Sequence, residues 1–445
     1  MKKFFLTLIL SAVCLTIRAS DVLRLNLEQA VELALNENRT VKIAGLEIQR
    51  VDYSQRSAWH SLLPTLDASG NVGRFLVPGE MAMMGMVMNS PVTFDLLAGI
   101  NLSLPIFVPA LWHTIQMTQL DMQMAVERAN ASKITLRNEV TKAFYGVLLA
   151  QDSYTILQNG LVLAESVLQQ TQRHYELGLT SEFDVISAKV QVQNLHPTIM
   201  EIQNGIQQAK MFLKILMGVD IQQPLKISGS LADYANGINS RNSERSLSLD
   251  GNTDLRQLDI QQQQLQRGLQ LQRTQRMPTL VGFGSYGHSA MGTRAMDIDF
   301  GGLPFPVPRA TDWYSQGLIV GLQLNIPLSG PFTNVSQERQ TRIQINQLAE
   351  QRTYVQEVLN MQVRVALNTM DRAAMQAEVA RQNKDLAQRG YDIALARHAK
   401  GLGIMLEVQN ASNQLMQAQL SFNQAIVSYL NTKADLEKLL GNTNL

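Results

Sequence analysis

The chain has 445 residues in which 38 Lys and Arg balance 37 Asp and Glu, so its net charge of +1 lacks the field that draws in nucleic acid. Its one cysteine, Cys14, excludes a disulfide framework and thiolate metal sites. Six scattered histidines form no pair at metal-ligand spacing, and no nucleophile stands beside a base in a recognisable motif, so no enzyme activity and no cofactor is expected.

Met1-Lys2-Lys3, the apolar stretch Phe4 to Ile17 and the small pair Ala19-Ser20 read as a signal peptide over residues 1–19. Cys14 lies inside its apolar region behind Val13, where a lipid-attachment cysteine normally follows a small residue. Cleavage near Ala19 is therefore favoured over lipidation. Beyond the signal no apolar run reaches the roughly 18 to 20 residues of a spanning helix. Any membrane crossing must then use a β-barrel.

A first repeat covers residues 20–217. It contains a β-hairpin at about 65–104 and a long helix pair at about 112–217. In the hairpin Phe94, Leu96, Ala98, Ile100, Leu102 and Leu104 alternate with Thr93, Asp95, Leu97, Gly99, Asn101 and Ser103, which is the pattern of a membrane strand with lipid on one face and water on the other. Val140, Val147, Tyr154, Leu161, Leu168 and Tyr175 then recur every seven residues. The return helix carries Val185, Ala188, Val192, Leu195, Ile199 and Ile202 at alternating spacings of three and four, a coiled-coil seam. A helix from Trp112 to Tyr175 would be a rod of roughly 95 Å, too long for a compact globule. Pro197 is expected to interrupt and kink the return helix.

Residues 218–251 lose this periodicity and read as a connecting segment with only short elements. A second repeat, 252–445, then restates the first, with a hairpin at about 279–327 and a helix pair at about 334–440. Its strand places Tyr314, Leu318, Val320, Leu322, Leu324 and Ile326 on the apolar row. Ala366, Ala373, Ala380, Ala387 and Ala394 form a row that lets helices approach closely, and Val408, Ala411, Leu415, Ala418 and Phe422 form the second return seam. Pro64, Pro105, Pro278 and Pro327 are read as the four junctions between helix and strand, where a missing N–H does least harm.

Four strands cannot close a barrel, and an open edge in lipid leaves backbone groups unpaired. Eight strands from a dimer would be nearly filled by side chains, whereas twelve from a trimer leave an aqueous lumen. The fold class is mostly α with membrane β: a tandem repeat of long coiled-coil helices plus two β-hairpins, pooled as a trimeric 12-stranded barrel continuous with an α-helical barrel.

The duplicated helix–hairpin–helix–helix unit, the Pro-bounded hairpins and the paired turns, Tyr175 to Val185 and His398 to Val408, resemble the TolC-type outer-membrane efflux proteins over nearly the whole mature chain. The resemblance implies a homotrimeric exit duct in outer-membrane lipid whose helices extend into the periplasm. It also implies a periplasmic adaptor and an inner-membrane transporter that supplies the energy. The turn tips Gly178, Leu179, Thr180, Gly401, Leu402 and Gly403 would face the adaptor. Asp184, Glu407, Asn410 and His398 would lie at the periplasmic constriction, with Glu407 as a ring selecting cations. The plain reading of Asp184 and Glu407 is helix N-terminal chemistry, and the two readings weigh evenly. An exported coiled-coil scaffold without a pore is the alternative. Within the duct reading the cargo stays open among drugs, metal ions and secreted polypeptide.

Three signals could mislead. Met81, Met83, Met84, Met86 and Met88 are soft donors for Cu(I) or Ag(I), but loop packing is favoured. Gly282, Gly284 and Gly287 spell G-x-G-x-x-G with no helix after them, so small residues in a strand explain them better than a dinucleotide site. Trp112, Trp313 and Tyr314 border strands and fit an interfacial girdle, with core packing an equal reading for Trp112.

Overall fold

The computed structural model describes residues 22–77, 79–83, 86–235, 237–238, 248–300, 303–328, 335–400 and 402–441. The signal peptide and Cys14 lie outside the described residues. In chain order the elements are β1 (Leu23–Leu25), α1 (Leu27–Glu37), α2 (Arg39–His60), β2 (Thr65–Arg74), β3 (Glu80–Met83), β4 (Met86–Asn89), β5 (Val92–Phe107), α3 (Pro109–Glu176) and α4 (Glu182–Met217). There follow β6 (Leu225–Ile227), α5 (Leu231–Ala235), α6 (Thr253–Thr274), β7 (Thr279–Thr293), β8 (Met296–Phe300), β9 (Leu303–Val307), β10 (Thr311–Asn325), α7 (Val335–Ala399) and α8 (Met405–Leu440). The chain forms two compact units: residues up to Glu47 with Val126–Leu258 and Gln351–Leu445, and Ile48–Ala125 with Asp259–Glu350.

The first unit is helical. Its core takes Val192, Leu195, Ile199 and Leu213 from α4, Val408, Leu415 and Phe422 from α8, and Ala373 and Ala377 from α7. These are the heptad positions, and the alanines on α7 leave room for the larger side chains of the facing helices. Phe144, Leu148 and Ile426 are wholly buried at its centre. Helix α4 runs unbroken through Pro197, contrary to the expected interruption; the proline is exposed, so the Gln193 carbonyl that it leaves without an N–H partner is on the solvent side.

One tertiary device occurs in both repeats. Asn38 caps the start of α2, its Oδ1 accepting from the Thr40 N–H at 2.7 Å, while its Nδ2 donates to the Leu216 carbonyl at the end of α4. Asn252 caps α6, accepting from the Asp254 N–H at 2.9 Å, and donates to the Leu439 carbonyl at the end of α8. The capped loops crowd the glycines that end those return helices. A Cβ on Gly218 would sit 2.4 Å from the Glu37 oxygen and one on Gly441 1.9 Å from the Gly251 oxygen, and both have φ near +65 to +70. The segment after α4 is tied to the N-terminus by parallel pairing of β6 with β1.

The second unit holds a four-stranded antiparallel sheet in the order β10-β7-β5-β2, so the two hairpins join through β5 and β7 while β10 and β2 keep free edges. Pro64 and Pro278 immediately precede β2 and β7, and Pro327 follows β10. Pro105 does not end its strand. Strand β5 continues to Phe107, and the ladder to β7 slips between Pro105 and Phe107, the bulge expected where a proline withholds its N–H. The two loops of the hairpins carry ribbons of their own, β3–β4 and β8–β9. The side chains of residues 81–88, where the methionines crowd, lie outside those described. Gly282, Gly284 and Gly287 all lie in β7. On the helical side of the sheet, Glu338 of α7 pairs with Arg273 and Arg276 at the end of α6.

Candidate functional site

Two regions carry the chemistry that the sequence singles out. The first is the turn between α3 and α4. Helix α3 ends in a Schellman arrangement: the Gly178 N–H donates to the Tyr175 carbonyl at 2.9 Å and the Leu179 N–H to the His174 carbonyl at 2.8 Å, with Gly178 at φ 72°. Ser181 then caps α4. Its hydroxyl accepts from the Asp184 N–H at 3.3 Å, and Asp184 Oδ2 accepts in return from the Ser181 N–H at 3.1 Å, the Ser181 hydroxyl at 2.7 Å and the Thr180 hydroxyl at 2.7 Å. This is a capping box with Asp in the reciprocal position. The bonds from Ser181 and Thr180 hold the Asp184 carboxyl below its ordinary value. The capping reading therefore describes Asp184.

The turn between α7 and α8 is built differently. The Leu402 N–H donates to the Arg397 carbonyl at 2.9 Å, matching the Leu179 bond, although Gly401 itself lies outside the described residues. The residue before α8 is Ile404, which offers no side-chain cap. Glu407 is consequently not a capping residue. Its Oε2 lies over Gly403, where a Cβ would be 3.0 Å away, and 4.0 Å from Arg397 Nη1. Arg397 also donates to the Leu402 carbonyl at 3.3 Å, so one guanidinium ties both sides of the turn. Asn410 is exposed about one turn further along α8. His398 stacks on His174, bringing the ends of α7 and α3 together. No described hydrogen bond or ion pair joins Asp184 to Glu407 or Asn410.

Of the apolar collar of these turns, sequence reasoning named Leu179 and Leu402 and missed Leu177, Phe183 and Ile404. Leu177, Leu179, Phe183, Leu402 and Ile404 are all more than three-fifths exposed. The signal was present in Ile404, an apolar residue where a helix start ordinarily takes Ser, Thr, Asp or Asn.

The second region is the sheet, whose register sorts residues by face, since directly opposed residues share one. Val320, Gly284, Leu102 and Leu66 form one rung of the apolar face, and Leu318, Tyr286, Ile100 and Ala68 the next. The opposite face takes Ile319, Ser285, Asn101 and Asp67, with a 2.9 Å bond from Ser285 to Asn101. A bulge at Gln316 reverses the parity of β10: Gly317 opposes Gly287 but Ser315 opposes His288. Tyr314, read as part of the apolar row, therefore stands opposite Ser289 on the polar face, and Trp313 takes its place on the apolar face opposite Ala290. At the helical end, Trp112 is more exposed than buried and meets Trp59 edge-on at 6.2 Å, which removes the core reading.

A sheet apolar on one face and polar on the other, together with duplicated heptad helices and paired turns, defines a class of outer-membrane proteins. The family model of outer membrane efflux proteins matches residues 30–219 and 245–442, and the chain belongs to that family. It is 26% identical over 223 residues to the probable efflux pump outer membrane protein TtgC of Pseudomonas putida, and equally to the toluene efflux pump outer membrane protein TtgC of a second strain of that organism. Those matches cover 48% of this chain and 45% of each relative, so the chain spans just under half the length of the curated relatives it matches. In fold it is similar to the Campylobacter jejuni CmeC outer membrane channel (TM-score 0.70, 17% identity, 93% of this chain and 85% of that one). It is also similar to the Vibrio cholerae outer membrane protein VceC (TM-score 0.70, 14% identity, 94% and 96%). The protein is located in the outer membrane.

Proposed function

We propose that three copies of this chain form a passive exit duct through the outer membrane, serving an inner-membrane transporter through a periplasmic adaptor. The observation that carries this reading is the sheet with two free edges, β10 and β2, and a continuous apolar face. Free backbone edges are untenable in lipid, and joining β10 of one copy to β2 of the next removes them all at once. Three copies give twelve strands, enough to enclose water. The helices support the same closure. Exposed Phe183, Ile186, Val190 and Met200 form an apolar row on α4, and exposed Met375, Val379, Leu386 and Ile393 form another on α7. Two unlike rows on one protomer suit a head-to-tail ring rather than a two-fold dimer.

In this reading the repeats would be the two functional halves, residues 20–217 and 252–445, joined by 218–251. The tips Gly178, Leu179, Thr180, Leu402 and Gly403, of which Gly178, Leu179 and Leu402 are exposed, would with Gly401 dock the adaptor, and Asp184, Glu407, Asn410 and His398 would ring the periplasmic opening. Transport energy comes from the transporter, and cargo choice rests with the transporter and adaptor.

Native mass spectrometry of the detergent-extracted protein, followed by planar-bilayer recording, tests the proposal. A trimer with ion conductance is expected. A stable monomer without conductance would overturn the duct and leave an exported coiled-coil scaffold.

A further inference from the structure

Charge is sorted by face in the four-stranded sheet. Asp67, Asp95 and Asp312 all stand on the polar face. Arg74 is the one basic residue other than histidine within β2, β5, β7 and β10, and it stands on the apolar face. Its place follows from the register: Arg74 opposes Phe94, Phe94 opposes Gly292, and the Phe94 ring lies so closely over Gly292 that a Cβ there would be 2.2 Å from it.

The height of the apolar face decides what Arg74 meets. From the Leu280 rung to the Ala290 rung is ten residues, about 34 Å of strand and about 26 Å of height at a tilt of about 40°. A membrane barrel's apolar band is about 25 Å tall and ends in aromatic residues. Trp313 closes that band at the Ala290 rung, and Arg74 with Phe94 lies one rung beyond, at the hairpin end of the sheet. At the same end Arg294 follows β7, its N–H bonded to the Pro91 carbonyl at 2.8 Å, and Arg309 precedes β10 by two residues. Glu80 and Asp297 belong to the short ribbons beyond the rim. A guanidinium on a barrel's lipid face costs little at the boundary between hydrocarbon and headgroups, and its planar fork matches the phosphates found there in two parallel bonds.

We propose that Arg74, assisted by Arg294 and Arg309, binds the phosphate groups of an anionic glycolipid in the outer leaflet of the outer membrane. The proposal rests on the barrel reading above, which turns the apolar face to lipid and the hairpin end outward. The basic rim then gives the barrel a fixed depth and a lipid partner on its outer side.

The test is lipopolysaccharide binding by the detergent-solubilised full-length protein, read by native mass spectrometry as phosphate-bearing lipid retained per assembly. Arg74→Gln is expected to weaken the apparent affinity about fivefold, the triple change Arg74→Gln, Arg294→Gln and Arg309→Gln to weaken it further, and millimolar inorganic phosphate not to displace the lipid. Equal retention by the triple variant, in assemblies that still trimerise and conduct, would overturn this inference alone. Full displacement by inorganic phosphate would also overturn it, because the site would then be one for a free anion. Failure of the unaltered protein to trimerise and conduct would instead remove the barrel reading and this inference with it.

Discussion

His174 and His398 stack across the two repeats with ring centroids 6.2 Å apart and planes 17° from parallel. They occupy the last turns of α3 and α7, each next in sequence to an arginine, Arg173 and Arg397. Glu176 and Lys400 lie on the same two helix ends, and Glu407 of α8 is tied to Arg397. A helix C-terminus welcomes one cation. The ring contact joins the ends of the two helices.

Loss of that contact is therefore expected to loosen the turns: His398→Ala should speed amide exchange at the end of α7 about severalfold. His398→Phe keeps a ring to stack and should leave exchange unchanged. Hydrogen exchange of the assembled protein checks this; equal protection in His398→Ala would mean that the pair does not hold the turns.

Asp184 sets the shape of the first turn. Its carboxyl lies below the ordinary 3.8 because Ser181 and Thr180 bond the charged form. The stabilisation is thus present above pH 3.8 and is lost as pH falls further, through the lower folded value. Asp184→Ala is expected to cost about 1 kcal/mol of local helix stability, seen as faster amide exchange at residues 181–185 with the assembly intact. Protection equal to that of the unaltered chain would contradict the capping role.

Glu407 lies in the first turn of α8 without a capping bond, and in the proposed duct its charge would reach the opening. Glu407→Gln is expected to lower cation-over-anion selectivity and to weaken block by multivalent cations in bilayer recordings. The change also removes the ion pair to Arg397, so Arg397→Gln serves as the comparison. If both variants keep the original selectivity, Glu407 forms no selecting ring.

The bulge at Gln316 is testable through a single tryptophan position. Deleting Gln316 removes the extra residue, restores two-residue alternation and keeps Trp313 opposite Ala290 on the apolar face. Quenching of Trp313 fluorescence by brominated lipid is therefore expected to be strong in the unaltered chain and unchanged by the deletion, measured with the other two tryptophans replaced by Phe. Quenching that is weak at first and rises on deletion would show that the strand runs without the bulge.

The helices and strands were legible because their periods are local properties of the chain. Val192, Leu195 and Ile199 announce a seam by spacing alone, and they are buried; Leu318, Val320 and Leu322 announce one face of a strand, and the register keeps them together. Tyr314 was misplaced because a bulge adds one residue to the strand without changing its composition. Pro105 was misplaced for a related reason: a proline withholds one N–H, which a strand can meet either by ending or by slipping, and only the neighbouring β7 ladder selects the slip.

By itself, then, the order of residues determined the duplicated architecture and the two-faced hairpins, since both follow from periodicity repeated at a near-constant offset. Tertiary structure alone decided that Asp184 is a cap while Glu407 is not, that His174 and His398 meet, and that Asn38 and Asn252 perform one task in two repeats. Each of these depends on which distant backbone or side-chain group lies within about 3 to 6 Å, and a spacing along the chain holds no record of that distance.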